Sequence, residues 1–321
     1  MKKIILTGGA GFIGSNLLSK LLESDADKIV VIDDLSTGSK ENINMHIDNK
    51  KVEFINSKIE DIDNLDILFE NSSFCYHLAA GVGVQYIMAN LSKSLLTNII
   101  ATHQVLEACQ NNNVPVLITS TSQVYGVSQD KVWDENTRSL IGPTSKLRWS
   151  YAASKMIDEF IALSLYEEGK LNPIIVRLFN IIGPNQLSKF GMVVPKFIES
   201  ALKNEDILIH GSGEQTRSFT WVEDVINYFL ILSELKPYGE IFNIGQPEEI
   251  CIKDLATKVI EKTNSNSKII YVPHEEVFGN KFDDPMRRTP GIKKIVSLTG
   301  VSPSIDIDSM LDKIIQFKKE S

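Results

Sequence analysis

Residues 4–14 read Ile4-Ile5-Leu6-Thr7-Gly8-Gly9-Ala10-Gly11-Phe12-Ile13-Gly14, with four glycines in seven positions directly behind an apolar run. Glycine costs backbone entropy and adds no packing, so such a cluster needs a cause. A flexible linker, a tight turn and a backbone held close to a ligand are the alternatives, and the flanks separate them. A strand-like run precedes the glycines and a helix-like run follows, with Gly8, Gly11 and Gly14 spaced G-x-x-G-x-x-G. A first glycine permits the turn, a second lets backbone N–H groups reach a pyrophosphate, and a third lets helix and strand pack closely. The helix N-terminus then offers partial positive charge to phosphates.

Working outward, Lys3–Thr7, Lys28–Asp33, Val52–Ile55, Phe74–Leu78, Pro115–Ser120 and Pro173–Arg177 read as strands. Helical patterns fall between them at about 13–22, 63–69, 92–111 and 150–166. Apolar strands alternating with helices predict an α/β fold, a Rossmann-type doubly wound parallel sheet covered on both faces. After about Asn180 the rhythm changes to short strands and Gly/Pro/Asn loops. The division expected is a dinucleotide-binding domain over 1–180, rejoined by 217–248, and a smaller α+β substrate lobe from 181–216 and 249–321. Asp33 ends the second strand, where a carboxylate accepts adenosine ribose hydroxyls and repels a 2′-phosphate. NAD is favoured over NADP, since no arginine follows Asp33 and Lys40 is the nearby cation.

The 321 residues carry a net charge of −8, against a nucleic-acid footprint. The sequence has no eighteen-residue apolar run and no leader-like start, so no membrane span is expected. Three cysteines without metal spacing (Cys75, Cys109, Cys251) predict no metal site and a reduced, cytoplasmic protein.

Tyr151 and Lys155 stand at i and i+4 in WSYAASKMIDEF, one turn apart on one helix face. A tyrosine near its usual pKa of about 10 is a poor base at neutral pH, and lowering it by about three units takes on the order of 4 kcal/mol. A lysine ammonium one turn away, with a nicotinamide's own charge, is the expected source. The phenolate then takes a proton from a sugar hydroxyl as hydride leaves the same carbon. Such a pair also arises by chance on helix surfaces. Here, however, the hydroxyl-rich ITSTSQVYG (118–126) follows a strand and places Thr121 to bond the reacting oxygen.

Together these pieces resemble the extended short-chain dehydrogenase/reductase family, in particular its nucleotide-sugar epimerases, dehydratases and decarboxylases. TGGAGFIG (7–14), VIDDLSTG (31–38), HLAA (77–80), TSTSQVYG (119–126), YAASK (151–155), RLFNIIGP (177–184), GMVVP (191–195), GSGEQTRSFTWVEDV (211–225), NIG (243–245) and MRRTPG (286–291) keep the family's order over nearly the whole chain. The resemblance implies that Gly8, Gly11, Phe12, Ile13, Gly14, Asp33, Ser36, Ile59, Leu78, Ala79 and Ala80 hold NAD. Lys155 is to grip the nicotinamide ribose beside its catalytic partners Tyr151 and Thr121. Gln85, Thr121, Ser122, Gln123, Tyr151, Asn180, Val194, Lys196, Arg217 and Arg288 are to meet a UDP- or GDP-linked sugar, with guanidinium groups suited to its diphosphate.

Three positions depart from the family pattern. Lys58 replaces an aspartate that binds the adenine amino group, leaving the backbone of Ile59 to read the base. Gly291 replaces an aspartate near Arg288. Gln123 replaces the carboxylic acid used by dehydratases and decarboxylases, and an amide cannot exchange a proton at neutral pH. The expectation is therefore an NAD-dependent 4-epimerase acting through a 4-keto sugar. A 4-dehydrogenase that releases the ketone is the runner-up, ahead of decarboxylase or dehydratase chemistry. A non-catalytic NAD-sensing protein predicts loss of Thr121, Tyr151 or Lys155, and all three are present. His77 reads as a strand-end residue under the cofactor, and Trp149 and Trp221 as packing residues. The helices near 92–111 and 150–166 carry apolar stripes on more than one face and predict a homodimer.

Overall fold

The computed structural model describes residues 2–81, 91–188, 192–273, 276 and 285–320. Its strands are β1 (Lys3–Thr7), β2 (Lys28–Ile32), β3 (Val52–Ile55), β4 (Ser72–His77), β5 (Val116–Thr121), β6 (Pro173–Leu178), β7 (Ile181–Ile182), β8 (Ile207–His210), β9 (Thr216–Ser218), β10 (Thr220–Trp221), β11 (Glu240–Ile244), β12 (Glu249–Cys251) and β13 (Ile269–Val272). The helices are α1 (Phe12–Glu23), α2 (Asn44–Ile47), α3 (Leu65–Phe69), α4 (Leu91–Asn111), α5 (Trp149–Glu167), α6 (Val193–Leu202), α7 (Val222–Leu235), α8 (Ile252–Thr263), α9 (Lys293–Thr299) and α10 (Ile307–Glu320).

Seven strands form one parallel sheet in the order β11-β6-β5-β4-β1-β2-β3. Successive residues of each strand face opposite sides, and the core follows that alternation. Ile4 and Leu6 of β1, Val31 of β2 and Val176 of β6 join Leu17 and Leu18 of α1 and Phe229 and Leu232 of α7 on one face. Ile5, Val30 and Ile175 join Val105, Leu106 and Cys109 of α4 and Ala162 of α5 on the other. Both faces being covered explains why the strands read as continuous apolar runs.

Strand order reverses between β1 and β4, which lie side by side and lead to different flanks of the sheet. Ligands of such sheets sit outside the strand ends at this switch point. The residues following β1 and β4 are the glycine turn and Leu78-Ala79-Ala80. A separate apolar cluster gathers α6, α8 and α10 around Ile198, Leu255 and Leu311, with Trp221 within it. It borders the β12–β9 and β13–β8 strand pairs.

Candidate active site

Gly8 adopts φ +74°, left-handed backbone that glycine enters without strain. A Cβ on Gly8 would stand 2.7 Å from the Ala79 nitrogen, and one on Gly14 2.1 Å from the Gly8 oxygen. Gly8 and Gly14 are therefore required by the close approach of turn, helix and β4 end. The turn closes with Gly11 N donating to Gly8 O at 3.1 Å, and α1 starts at the next residue.

Asp33 lies across this turn. Its Oδ2 accepts from Ala10 N at 2.9 Å and its Oδ1 from Leu35 N at 2.8 Å. Burial pushes its carboxyl up, and those two N–H donors oppose the rise. Each oxygen keeps a lone pair for a ribose hydroxyl.

One cavity of about 560 Å³ runs from this cradle to the β8–β9 region. Gly8, Gly11, Phe12, Ile13, Gly14, Asp33, Ser36, Ile59, Leu78, Ala79 and Ala80 line one part of it, and Thr121, Gln123, Tyr151, Lys155, Asn180, Val194, Lys196, Arg217 and Arg288 line the rest. The donor set suits NAD: a glycine turn closed by backbone, a helix N-terminus, and a carboxylate with spare lone pairs. Lys58 and Ile59 line the cavity at the end of β3. Gln85, with Tyr86, lies outside the described residues. Ser122 is placed differently from its neighbours. It opens a tight 3-10 turn, is 2% exposed and is not among the residues lining the cavity.

Tyr151 and Lys155 occupy the first turns of α5 as the i, i+4 spacing required. Lys155 Nζ donates to Asp158 Oδ2 at 3.1 Å, with both side chains 3% exposed or less. Enclosure drives the Tyr151 phenol well above its ordinary value, and the Asp158 carboxylate adds to the rise. Thr121 Oγ1 accepts from Gln123 N at 3.3 Å, fixing the hydroxyl at the end of β5.

Supporting groups are buried and paired. Arg177 of β6 grips Glu159 of α5 through Nη2 at 2.7 Å and Nε at 3.0 Å, and Ser120 donates to the same carboxylate. That network fixes α5 against β5 and β6. Asn180, at φ +35°, donates through Nδ2 to Ser218 O at 3.0 Å and joins the β6 end to β9. Arg217 donates to Thr216 O at 2.7 Å. His77 is 1% exposed and bonded on both ring nitrogens, to Thr7 Oγ1 at 2.7 Å and Thr102 Oγ1 at 3.0 Å. Among the described residues, no His/Cys/Asp/Glu group could hold a metal ion, and no helix is long and apolar enough to cross a membrane. Trp149 is buried under the Arg148 guanidinium, 4.5 Å from its ring.

Sequence reasoning missed Arg148, Asn98 and Asp158. Arg148 is 5% exposed and in the cavity wall. The available signal was a cation at a helix N-terminus, which the helix dipole disfavours. Asn98, a poor helix former within α4, accepts from Gly81 N at 2.7 Å.

Comparison with known proteins agrees with this geometry. The chain is 33% identical over 320 residues to the UDP-N-acetyl-alpha-D-glucosaminuronate decarboxylase of Bacillus cytotoxicus, covering 99% of this chain and 98% of that one. The UDP-glucose 4-epimerase of Thermotoga maritima superposes with a TM-score of 0.88 at 26% identity, covering 99% of both chains. The UDP-glucuronic acid 4-epimerase of Bacillus cereus, bound to UDP-glucuronic acid and NAD, also superposes at 0.88 and 26%, with 99% of both covered. With residues 4–245 matching its family model, the chain belongs to the NAD dependent epimerase/dehydratase family.

Proposed function

We propose that the protein is an NAD-dependent 4-epimerase of a UDP-linked sugar. The observation that carries this reading is the distribution of carboxyl groups in the cavity. Among the described residues its acidic wall consists of Asp33, Asp34 and Glu60, all following β2 or β3. Beside Thr121 the wall offers the Gln123 amide instead. Elimination of water needs an acid there. Oxidation and reduction at one carbon need only Tyr151, Thr121 and Lys155. NAD supplies the hydride acceptor and, once reduced, the hydride donor. Tyr151 Oη takes the C4 hydroxyl proton as hydride leaves C4, and Thr121 Oγ1 bonds the same oxygen. After the 4-keto sugar turns, Tyr151 returns the proton as hydride re-enters the other face, with no net oxidation. Arg148, Arg217 and Arg288 place three guanidinium groups on the wall for the diphosphate. The division into a cofactor domain and a sugar lobe fits the same reading.

The decarboxylase relative favours a second reading. C4 oxidation of a UDP-linked uronate makes a β-keto acid, CO₂ leaves, the enolate is protonated at C5, and the ketone is reduced. Proton NMR of UDP-glucose, UDP-N-acetylglucosamine and UDP-glucuronate incubations separates the readings. A C4 epimer with no NADH accumulation supports the first, and a UDP-pentose with CO₂ supports the second. A keto sugar with stoichiometric NADH instead makes the protein a 4-dehydrogenase.

We also infer a homodimer. Leu96 and Ile100 of α4 are 56% and 45% exposed, and Ile157 and Phe160 of the adjoining α5 are 40% and 66% exposed. Their i,i+4 and i,i+3 spacings place them as apolar stripes on neighbouring helices, the kind of surface a second copy covers.

A further inference from the structure

Asn243 of β11 is fully buried and is not among the residues lining the cavity. Its hydrogen bonds nevertheless reach the stretch that bears Arg288. Trp133 N donates to Thr289 O at 2.9 Å and Gly291 N to Trp133 O at 2.7 Å, bridging the segment before α5 to residues 289–291. The Asn243 amide closes this bridge, with Nδ2 donating to Trp133 O at 2.9 Å and to Gly291 O at 3.3 Å. The direction of the amide is fixed by its neighbours. Arg177 has only donors, and its Nη1 donates to Tyr125 Oη at 2.9 Å, so the tyrosine's one proton goes to Asn243 Oδ1 at 2.7 Å. Asn243 N donates to Glu135 Oε1 at 2.8 Å. Two residues on, Gly245 lets Pro290 settle against the end of β11, since a Cβ there would stand 2.5 Å from Pro290 Cγ.

We infer that Asn243 is a positioning residue for Arg288, which it holds in the cavity wall by clamping Trp133 to Gly291. This rests on the reading of Arg288 as a ligand of the diphosphate. On its other side the same stretch lies along β9, with Thr216 N donating to Met286 O at 2.9 Å and Ser218 Oγ to Arg288 O at 3.3 Å. Arg217, another guanidinium of the wall, stands between those two β9 residues. The backbone of Arg288 is therefore suspended between β9 and β11, and the Asn243 amide is the β11 anchor. A guanidinium meets phosphate through a rigid fork of N–H groups, so its contribution depends on where its backbone is held. Arg177 carries the frame further, gripping Glu159 of α5 through Nη2 and Nε. That helix bears Tyr151. One buried hydrogen-bonded frame thus sets the diphosphate end of the cavity relative to the Tyr151 end.

The test needs no knowledge of the sugar. The NAD⁺-loaded protein is titrated calorimetrically with UDP, in the parent, Asn243→Ala, Arg288→Ala and the double variant. Asn243→Ala is expected to weaken UDP by about tenfold, the scale of one charge-assisted hydrogen bond, and to leave NAD⁺ affinity within about twofold. Arg288→Ala weakens UDP at least as much, and adding Asn243→Ala to it changes UDP affinity by less than about twofold, because a residue acting through another is not additive with it. Tyr125→Phe, which removes the hydroxyl that orients the Asn243 amide, takes its place in the same cycle if Ala prevents folding. Equal losses with and without Arg288 overturn the inference, since a merely structural role is additive. Unchanged UDP affinity in a folded, NAD-binding variant overturns it too. If UDP does not bind the parent, or binds Arg288→Ala equally well, the diphosphate reading fails and the Asn243 role falls with it. If UDP binding behaves as expected but no UDP-sugar turns over, the proposed activity fails and the Asn243 role stands.

Discussion

Replacing Asp33 by asparagine changes one atom type and tests the cofactor assignment directly. In the parent protein each carboxylate oxygen accepts one backbone N–H, from Ala10 at 2.9 Å and Leu35 at 2.8 Å. Asparagine offers one acceptor, so its NH₂ must face one of those donors. If Leu35 loses its partner, a non-glycine residue at φ +60° loses the bond that holds it left-handed. A hydrogen bond to a charged group is worth about 1.5–3 kcal/mol, so thermal stability falls by an amount in that range. The amide also accepts fewer ribose hydroxyls than the carboxylate. Losing one charge-assisted bond of that size weakens NAD binding by about tenfold to 150-fold, at about 1.4 kcal/mol per decade. Removing the negative charge eases entry of a 2′-phosphate, so discrimination against NADP must shrink. Calorimetric titration of Asp33→Asn with NAD⁺ and NADP⁺, alongside a melting curve, reads all three quantities. NAD⁺ affinity within twofold of the parent, in a folded variant, would refute the placement of the adenosine ribose at Asp33.

Tyr151→Phe keeps the ring and removes the proton. Turnover is expected to fall by about 10² to 10⁴ with NAD affinity unchanged, as kinetics beside cofactor titration will establish. For His77 the folded pKa of about 3 lies below the unfolded value of about 6.5. Between those values the unfolded chain binds more protons, so stability is present above about pH 6.5 and is lost toward pH 3, by about 1.4 kcal/mol per pH unit. Chemical denaturation from pH 7 to 4 reads that slope, and His77→Gln must flatten it; equal slopes contradict the buried neutral imidazole. Phe160→Glu puts charge in the exposed stripe of α5, and sedimentation equilibrium is expected to find a dimer for the parent protein and a monomer for the variant. A dimer of undiminished affinity places the interface elsewhere.

The sequence by itself determined the sheet and the cradle, because those signals are local. Apolar runs fixed β1 and β3 to the residue, and the glycine spacing gave a turn that needs glycine at Gly8 and Gly14. The Tyr151–Lys155 pair was legible for the same reason, since i,i+4 spacing on a helix is a statement about one turn. Contacts between distant segments needed tertiary structure. Asp158 reads in sequence as one more charged helix residue. Only the packing of α4 against α5 brings the Thr102 hydroxyl to it, at 3.3 Å. Ser122 and Gln123 are adjacent in one tight turn, yet that turn buries Ser122 and leaves Gln123 in the cavity wall. Arg148 stands at the N-terminus of α5, and only the tertiary packing puts it in the cavity wall. Spacing encodes what one backbone element does with its own side chains, whereas charge compensation and burial depend on which elements fold against it.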